Sequence, residues 1–412
     1  MLAKITLPLL FALALVVAAD AQETPRFTID TPTETRSGCS LLAFDEAGVL
    51  TVKDAAARVV LPRFVEIRQD GRKLPALLTR SFVSLSNGDR LPLDPDASAK
   101  LQASRLHVWP AKSLSSVHVK GLDLFAPYVV LLFWSLPEGV DDAERFFAEL
   151  QEEPRKRDAV YLKNGDRLDG AVVALGEKTG CVVSIDGRKV ETPWSKLAGI
   201  AFNTDRQARL RTKKPFYRAV LEGGARVNFL ELKFEEKTRV WLGKTQFGAS
   251  LELPEASMIA VETQQAMAID LTELTPARYE HRAFLGAAWP LMKDAAVSGQ
   301  PLRLHGNSYE KGLGTHAACQ AAYKLDQKYQ RFDVIVGIDE LARKGRARVA
   351  IDLDGKRIDL NDGKELTIET PPITLRLDVR NVRTMTLIVD WGSFGDVQAH
   401  VNWAKARLIK KD

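Results

Sequence analysis

Apolar and polar residues alternate with a period of two through much of the chain, which places successive side chains on opposite faces of a strand. The segments FVSLSNGDRL (82–91) and AVYLKNGDRL (159–168) repeat this pattern, and both carry Asn-Gly. Asn-Gly closes a tight hairpin because both residues tolerate positive φ. A second element, Pro-x-x-x-(Leu/Met)-x-x-(Val/Ile), follows at Pro110/Leu114/Val117, Pro193/Leu197/Ile200 and Pro254/Met258/Val261. The third copy opens with Glu222-Gly223-Gly224 after FYRAVL. Three units emerge, 79–120, 159–203 and 216–263, rich in Val, Leu and Gly and without helical period. Such short units predict small, strongly bent five-stranded barrels.

Two stretches break the rhythm. Val140–Glu152 reads as a helix, with Asp141 or Asp142 as cap and Phe146, Phe147 and Leu150 as its apolar stripe. The charged run 152–158 after it reads as a solvated linker. Leu124–Leu136 is apolar but too short to span a membrane, and Pro127 interrupts it. It predicts a buried strand or flap. From Leu271 onward the alternating strands lengthen: Ala347, Val349, Ile351 and Leu353 share a face, then Ile373, Leu375, Leu377 and Val379, then Met385, Leu387, Val389 and Trp391. With Asp354-Gly355 as a turn and no intervening helices, this predicts a two-sheet antiparallel sandwich. The expected fold is all-β. Its divisions are a first β region with one barrel (22–138), helix and linker (139–158), two barrels (159–263) and a sandwich (264–412).

Composition narrows the setting. Of 412 residues, 45% are hydrophobic and 27% charged, as in globular proteins. The net charge of +5 is thin and scattered, which argues against nucleic acid as a partner. Residues 1–21 read as a secretory leader: Lys4, an uncharged run Ile5–Ala19, and Ala19-Asp20-Ala21 as a cleavage site. Cleavage after Ala21 predicts a secreted or periplasmic protein with no membrane span in the mature chain. Cys39, Cys181 and Cys319 are too few and too dispersed for a disulfide framework or a CxxC zinc site.

Ordered motifs in the last third carry a family resemblance. Tyr309-Glu310-Lys311-Gly312-Leu313-Gly314-Thr315-His316-Ala317 resembles the Y-x-K-G-(L/I)-G-x-H-A signature of the NPCBM carbohydrate-binding module, first noticed beside glycoside hydrolase family 98 catalytic domains. Tyr323-Lys324-Leu325, Phe332, 336–339, Val349 with Asp354-Gly355, and 403–408 follow in the family's order. Lys405 departs from it, standing where an acidic residue is expected. The resemblance implies a galactose-binding-like jelly roll that holds sugars on loops at one end, sometimes with a structural calcium ion. The barrel units, through Asn164–Gly170, resemble SH3-like or Sm-like barrels.

Sugar recognition needs an apolar plate for C–H faces and planar polar groups for hydroxyls. Trp289, Tyr309, Trp391, Phe394 and Trp403 could be plates. Trp391 and Trp403 fit core packing as well. Glu310, Lys311, His316, Asp390, Asp396, His400 and Asn402 could supply hydrogen bonds, although His316 also fits a structural role. The candidate binding set is Tyr309, Glu310, Lys311, His316, Trp391, Phe394, Asp396, His400 and Asn402, with the loop Asp390–His400 at its centre. Asp339-Glu340, Asp352/Asp354 and Asp359/Asn361/Asp362 offer oxygens for calcium without EF-hand spacing. All six histidines are isolated in sequence, against a zinc site. No G-x-S-x-G elbow, HExxH helix or phosphate loop occurs. The expected function is non-catalytic binding of a glycan or polysaccharide, galactose-type sugars first. The alternatives are an adhesion protein whose sandwich binds another protein, with the barrels as further contacts, and a glycoside hydrolase of unfamiliar type.

Overall fold

A computed structural model describes residues 24–114, 121–283 and 288–411. The leader, Val117 and His118 lie outside the described residues. Among these residues the architecture is nearly all β, with one α-helix at Ala143–Glu152.

Four small barrels, rather than three, precede the sandwich. The first runs through Phe27–Asp30, Thr35–Phe44, Leu50–Lys53, Arg58–Leu61 and Glu66–Gln69. The first four strands pair antiparallel in succession, and the fifth returns to pair with the first. The third barrel (Asp158–Leu162 to Leu197–Ala201) and the fourth (Phe216–Leu221 to Met258–Gln264) repeat that topology. The second is a variant, with an extra strand Lys100–Gln102 between its second and third strands. It closes with Val129–Phe133, five consecutive buried residues, so the apolar run at 124–136 is a buried strand. Its proline turn is therefore Ala126–Tyr128, and Pro110 sits instead in a bridge to Leu93. In both Asn-Gly hairpins glycine takes positive φ, 85° at Gly88 and 89° at Gly165. In each, the Asn side chain bonds the Asp two residues on.

The barrels associate through their closing strands. Glu66–Gln69 of the first pairs antiparallel with Met258–Gln264 of the fourth, and Val129–Phe133 of the second with Leu197–Ala201 of the third. Edge strands that would otherwise expose unpaired backbone are thereby satisfied. The helix, capped by Asp142, lays Phe147 and Leu150 on the second pair, against Phe82, Phe133 and Ala198.

The sandwich has two antiparallel sheets. One orders Met292–Lys293, Gly312–His316, His400–Lys410, Tyr329–Ile338 and Ile373–Asp378; the other orders Arg278–His281, Cys319–Lys324, Thr384–Trp391, Ala347–Leu353 and Lys356–Asp359. Tyr323, Phe332, Leu387, Val401 and Trp403 fill the space between them. The outer face of the first sheet docks on the barrels. Leu302, Leu304, Tyr309 and Ala404 meet Leu74, Val220, Ile259 and Ala260 there in a shared apolar cluster.

Candidate functional site

The candidate residues separate into two groups, at opposite ends of the strand Gly312–His316. His316 pairs with His400 at the start of the last strand, and Trp391 pairs with Ala347. These ends, with His281 opposite Cys319, form one rim of the sandwich away from the barrels.

At this rim three histidines that are isolated in sequence converge. The rings of His281 and His400 lie 5.6 Å and 5.2 Å from that of His316. Trp289, 38% exposed, stacks flat on His316 at 4.8 Å and 2°. Its backbone N–H donates to His281 Nδ1 at 3.2 Å, and Tyr279 donates its hydroxyl to Trp289 O at 2.9 Å. These bonds hold the indole in place. His281 Nε2 and His316 Nδ1 both donate to Ala317 O, at 3.2 Å and 2.6 Å, which fixes their tautomers. Burial, then the neighbouring His316, pushes His400 down to about 4; burial also lowers His316, while the Ala317 and Asp396 groups beside it oppose the shift. Both imidazoles are therefore neutral near pH 7. A neutral imidazole offers one donor and one acceptor.

The rest of the rim is more open. Phe394 is 52% exposed, with the Arg346 guanidinium 4.4 Å from its ring centre. Half-buried Trp391 lines a groove of about 190 Å³ with Glu280, Arg282, Gln320 and Asp390. Asp390 also accepts from Arg357 at 3.1 Å.

Other candidates are committed elsewhere. Asn402 is fully buried and donates to Asp339 at 2.6 Å; Trp403 is fully buried and donates to Thr315 Oγ1 at 3.1 Å. Tyr309, Glu310 and Lys311 sit at the barrel end of the strand. Glu310 is shared by Arg218 and Arg226 of the fourth barrel, Tyr309 packs in the interdomain cluster, and Lys311 pairs with Asp294 at 2.7 Å.

Lys405 has a clear role here. Its ammonium bonds Glu66 at 2.6 Å and Glu262 at 3.0 Å, carboxylates that face each other across the paired closing strands. Arg407 reaches Asp30 and Glu66 from the same strand. The departure from the signature was itself the readable signal: a basic residue in place of an acidic one marks a face with a new, acidic neighbour. His281 and Trp289 carried no such signal, because only the fold brings them to His316. Among the described residues, no group of three or more His, Cys, Asp or Glu side chains is arranged to hold a metal ion.

Comparisons with known proteins concern the same segment. The family model described as NPCBM/NEW2 domain matches residues 269–409. A Renibacterium salmoninarum protein, named provisionally as an endo-alpha-N-acetylgalactosaminidase, is 27% identical over 118 residues, which is 28% of this chain and 8% of that protein. The chain thus spans a small part of that relative's length. Similar solved structures include CBM51 from Clostridium perfringens GH95 in complex with methyl-galactose, at 24% identity and TM-score 0.30, covering 34% of this chain and 99% of that one. A Clostridium perfringens ZmpB structure, of CBM51-2 in complex with GlcNAc and INT domains, is 26% identical at TM-score 0.31, covering 42% of this chain and 36% of that one. The last third of the chain thus matches the NPCBM/NEW2 domain model over residues 269–409 and is set on a base of four small barrels.

Proposed function

We propose that this chain binds glycans through the rim of its sandwich, with galactose-type sugars as the first ligand class. The observation that carries the reading is the exposed indole of Trp289, fixed against neutral His316 with His400 beside it. A galactoside presents one continuous C–H face to such a plate, while its axial hydroxyl points toward imidazole and carboxylate partners. His400, its ring 5.8 Å from that of Trp289, and the half-buried Asp396 beside His316 would supply those bonds. Phe394 and the Trp391 groove extend the surface toward further sugar units. Stacking and hydrogen bonding require no carboxylate pair, so the reading is non-catalytic. The leader read at 1–21 supports export, where polysaccharides are met.

The test is titration calorimetry of the full chain with methyl-galactoside and oligosaccharides that end in galactose. Each aromatic contact contributes on the order of 1 kcal/mol, so a single sugar binds weakly and clustered ligands bind by avidity. Trp289→Ala removes saturable binding, and His400→Ala weakens it about tenfold. Binding that Trp289→Ala leaves unchanged overturns the reading. Release of reducing sugar from a polysaccharide panel overturns its non-catalytic half.

A further inference from the structure

We propose that the cleft between the sandwich and the barrels is a second saccharide site, distinct from the rim and taking a neutral mono- or disaccharide. The cleft measures about 410 Å³, within the range of about 300–1,000 Å³ usual for small-molecule sites, which favour domain interfaces. Three of the residues singled out for sugar binding, Tyr309, Glu310 and Lys311, line it rather than the rim.

Charge decides what fits. The cations in the wall already hold carboxylate partners: Arg218 and Arg226 share Glu310, Lys405 has Glu66 and Glu262, Arg407 has Asp30 and Glu66, and Lys311 has Asp294. An anionic ligand would have to displace those partners. Asp270 differs. Its half-buried carboxylate lines the cleft, yet among the described residues no hydrogen bond reaches it. Burial, then the Glu262 charge, raises it to about 6, as expected of an acceptor that lacks a donor. Ligand hydroxyls would supply that donor.

The rest of the wall suits a sugar ring. Phe216 is half-buried and stacks on no other aromatic ring among the described residues, leaving a face for C–H groups. Gln265 and Ser308 add neutral polar groups that can both donate and accept. An apolar plate, an unmet carboxylate, and a neutral amide and hydroxyl together are a saccharide's requirements. A diamine would satisfy Asp270 but make no use of the plate.

The experiment uses the full chain and neutral disaccharides (lactose, N-acetyllactosamine and cellobiose), with binding read by saturation-transfer NMR and calorimetry. Trp289→Ala, which disables the rim, retains one disaccharide site per chain. Adding Phe216→Ala or Asp270→Ala to it weakens that site at least about tenfold, with the thermal midpoint followed to confirm folding. Asp270→Asn serves if the alanine variant does not fold. The proposal is overturned if the Trp289→Ala chain binds none of the three, if the cleft variants leave its affinity unchanged, or if only putrescine saturates the cleft. Failure of the rim reading looks different: Trp289→Ala then matches the parent chain while Asp270→Ala alone loses binding.

Discussion

Glu310 shows how one carboxylate can be drawn from one task to another. In the signature it stands beside residues expected to meet sugar, yet here two arginines from the fourth barrel enclose it. Burial works to raise its pKa, but Arg218 and Arg226 outweigh burial and hold it well below the ordinary carboxylate value of 4.5. Glu66 behaves alike: burial is overcome by Lys405 and Arg407, and it falls to about 2. Carboxylates depressed on folding contribute stability that is full above their unfolded value and is lost as pH falls through the folded one. The thermal midpoint of the full chain should therefore drop between pH 4.5 and about 2. Glu310→Gln should flatten that slope and destabilise the chain by roughly 3–5 kcal/mol at pH 7, because two buried guanidinium groups lose their counter-charge. Denaturant titrations at both pH values check this; an unchanged acid slope would refute the assignment. His400 shares the sign over a higher window. Its neutral form is the folded one, so its contribution is full above about 6.5 and is lost as pH falls toward 4. Sugar binding at the rim should accordingly stay level from pH 8 to 6 and weaken toward pH 4, as calorimetry can follow.

At the scale of elements, the closing strands join the barrels in pairs, and Gly199 shows how closely they approach. A Cβ placed there would lie 2.2 Å from the Phe133 ring, across the junction of the second and third barrels. Gly199→Ala should thus cost about 1–3 kcal/mol by overpacking, visible as a lower denaturation midpoint with an unchanged slope. A neutral effect would mean that this pairing is looser than described. This junction was not legible in the sequence, and the reason is physical. Strand alternation and Asn-Gly turns are local properties, so the hairpins at Asn87 and Asn164 could be read directly. Which strand lies beside which across a hundred residues depends on the packing of whole barrels. The first barrel escaped notice because its opening hairpin turns through Thr31-Pro32-Thr33-Glu34 without Asn-Gly, although Pro62 precedes its closing strand as Pro254 precedes that of the fourth. In the second, Pro110 imitated the closing turn that Pro127 makes. The sandwich was more readable, since strands such as Cys319–Lys324 and Ile373–Asp378 alternate and bury one face. Trp403 shows this: strand alternation sends it inward, whereas the exposed indole at the rim is that of Trp289, which lies outside any strand.

For the whole molecule, the decisive relation is between the docked face and the free rim. The interface combines an apolar cluster with carboxylates of each part paired to cations of the other, so neither part can leave without exposing unpaired charge. Lys405 is central, because Glu66 and Glu262 lie directly opposite one another and repel without it. Barrels and sandwich should therefore unfold together in one calorimetric transition, only weakly sensitive to salt because the pairs are shielded from solvent. Weakening the linkage by combining Glu310→Gln and Lys405→Met with Asp30→Asn should split this into two transitions, while the rim keeps its sugar affinity because His316 and Trp289 lie at the other end of the strand. Two transitions in the parent chain would show that the ion pairs join surfaces without coupling their stability. Loss of rim binding in the triple variant would show that docking, rather than the sandwich alone, shapes the site. A single transition with an intact rim after all three substitutions would leave the apolar cluster around Tyr309 and Leu304, with the remaining ion pairs, as the source of the coupling.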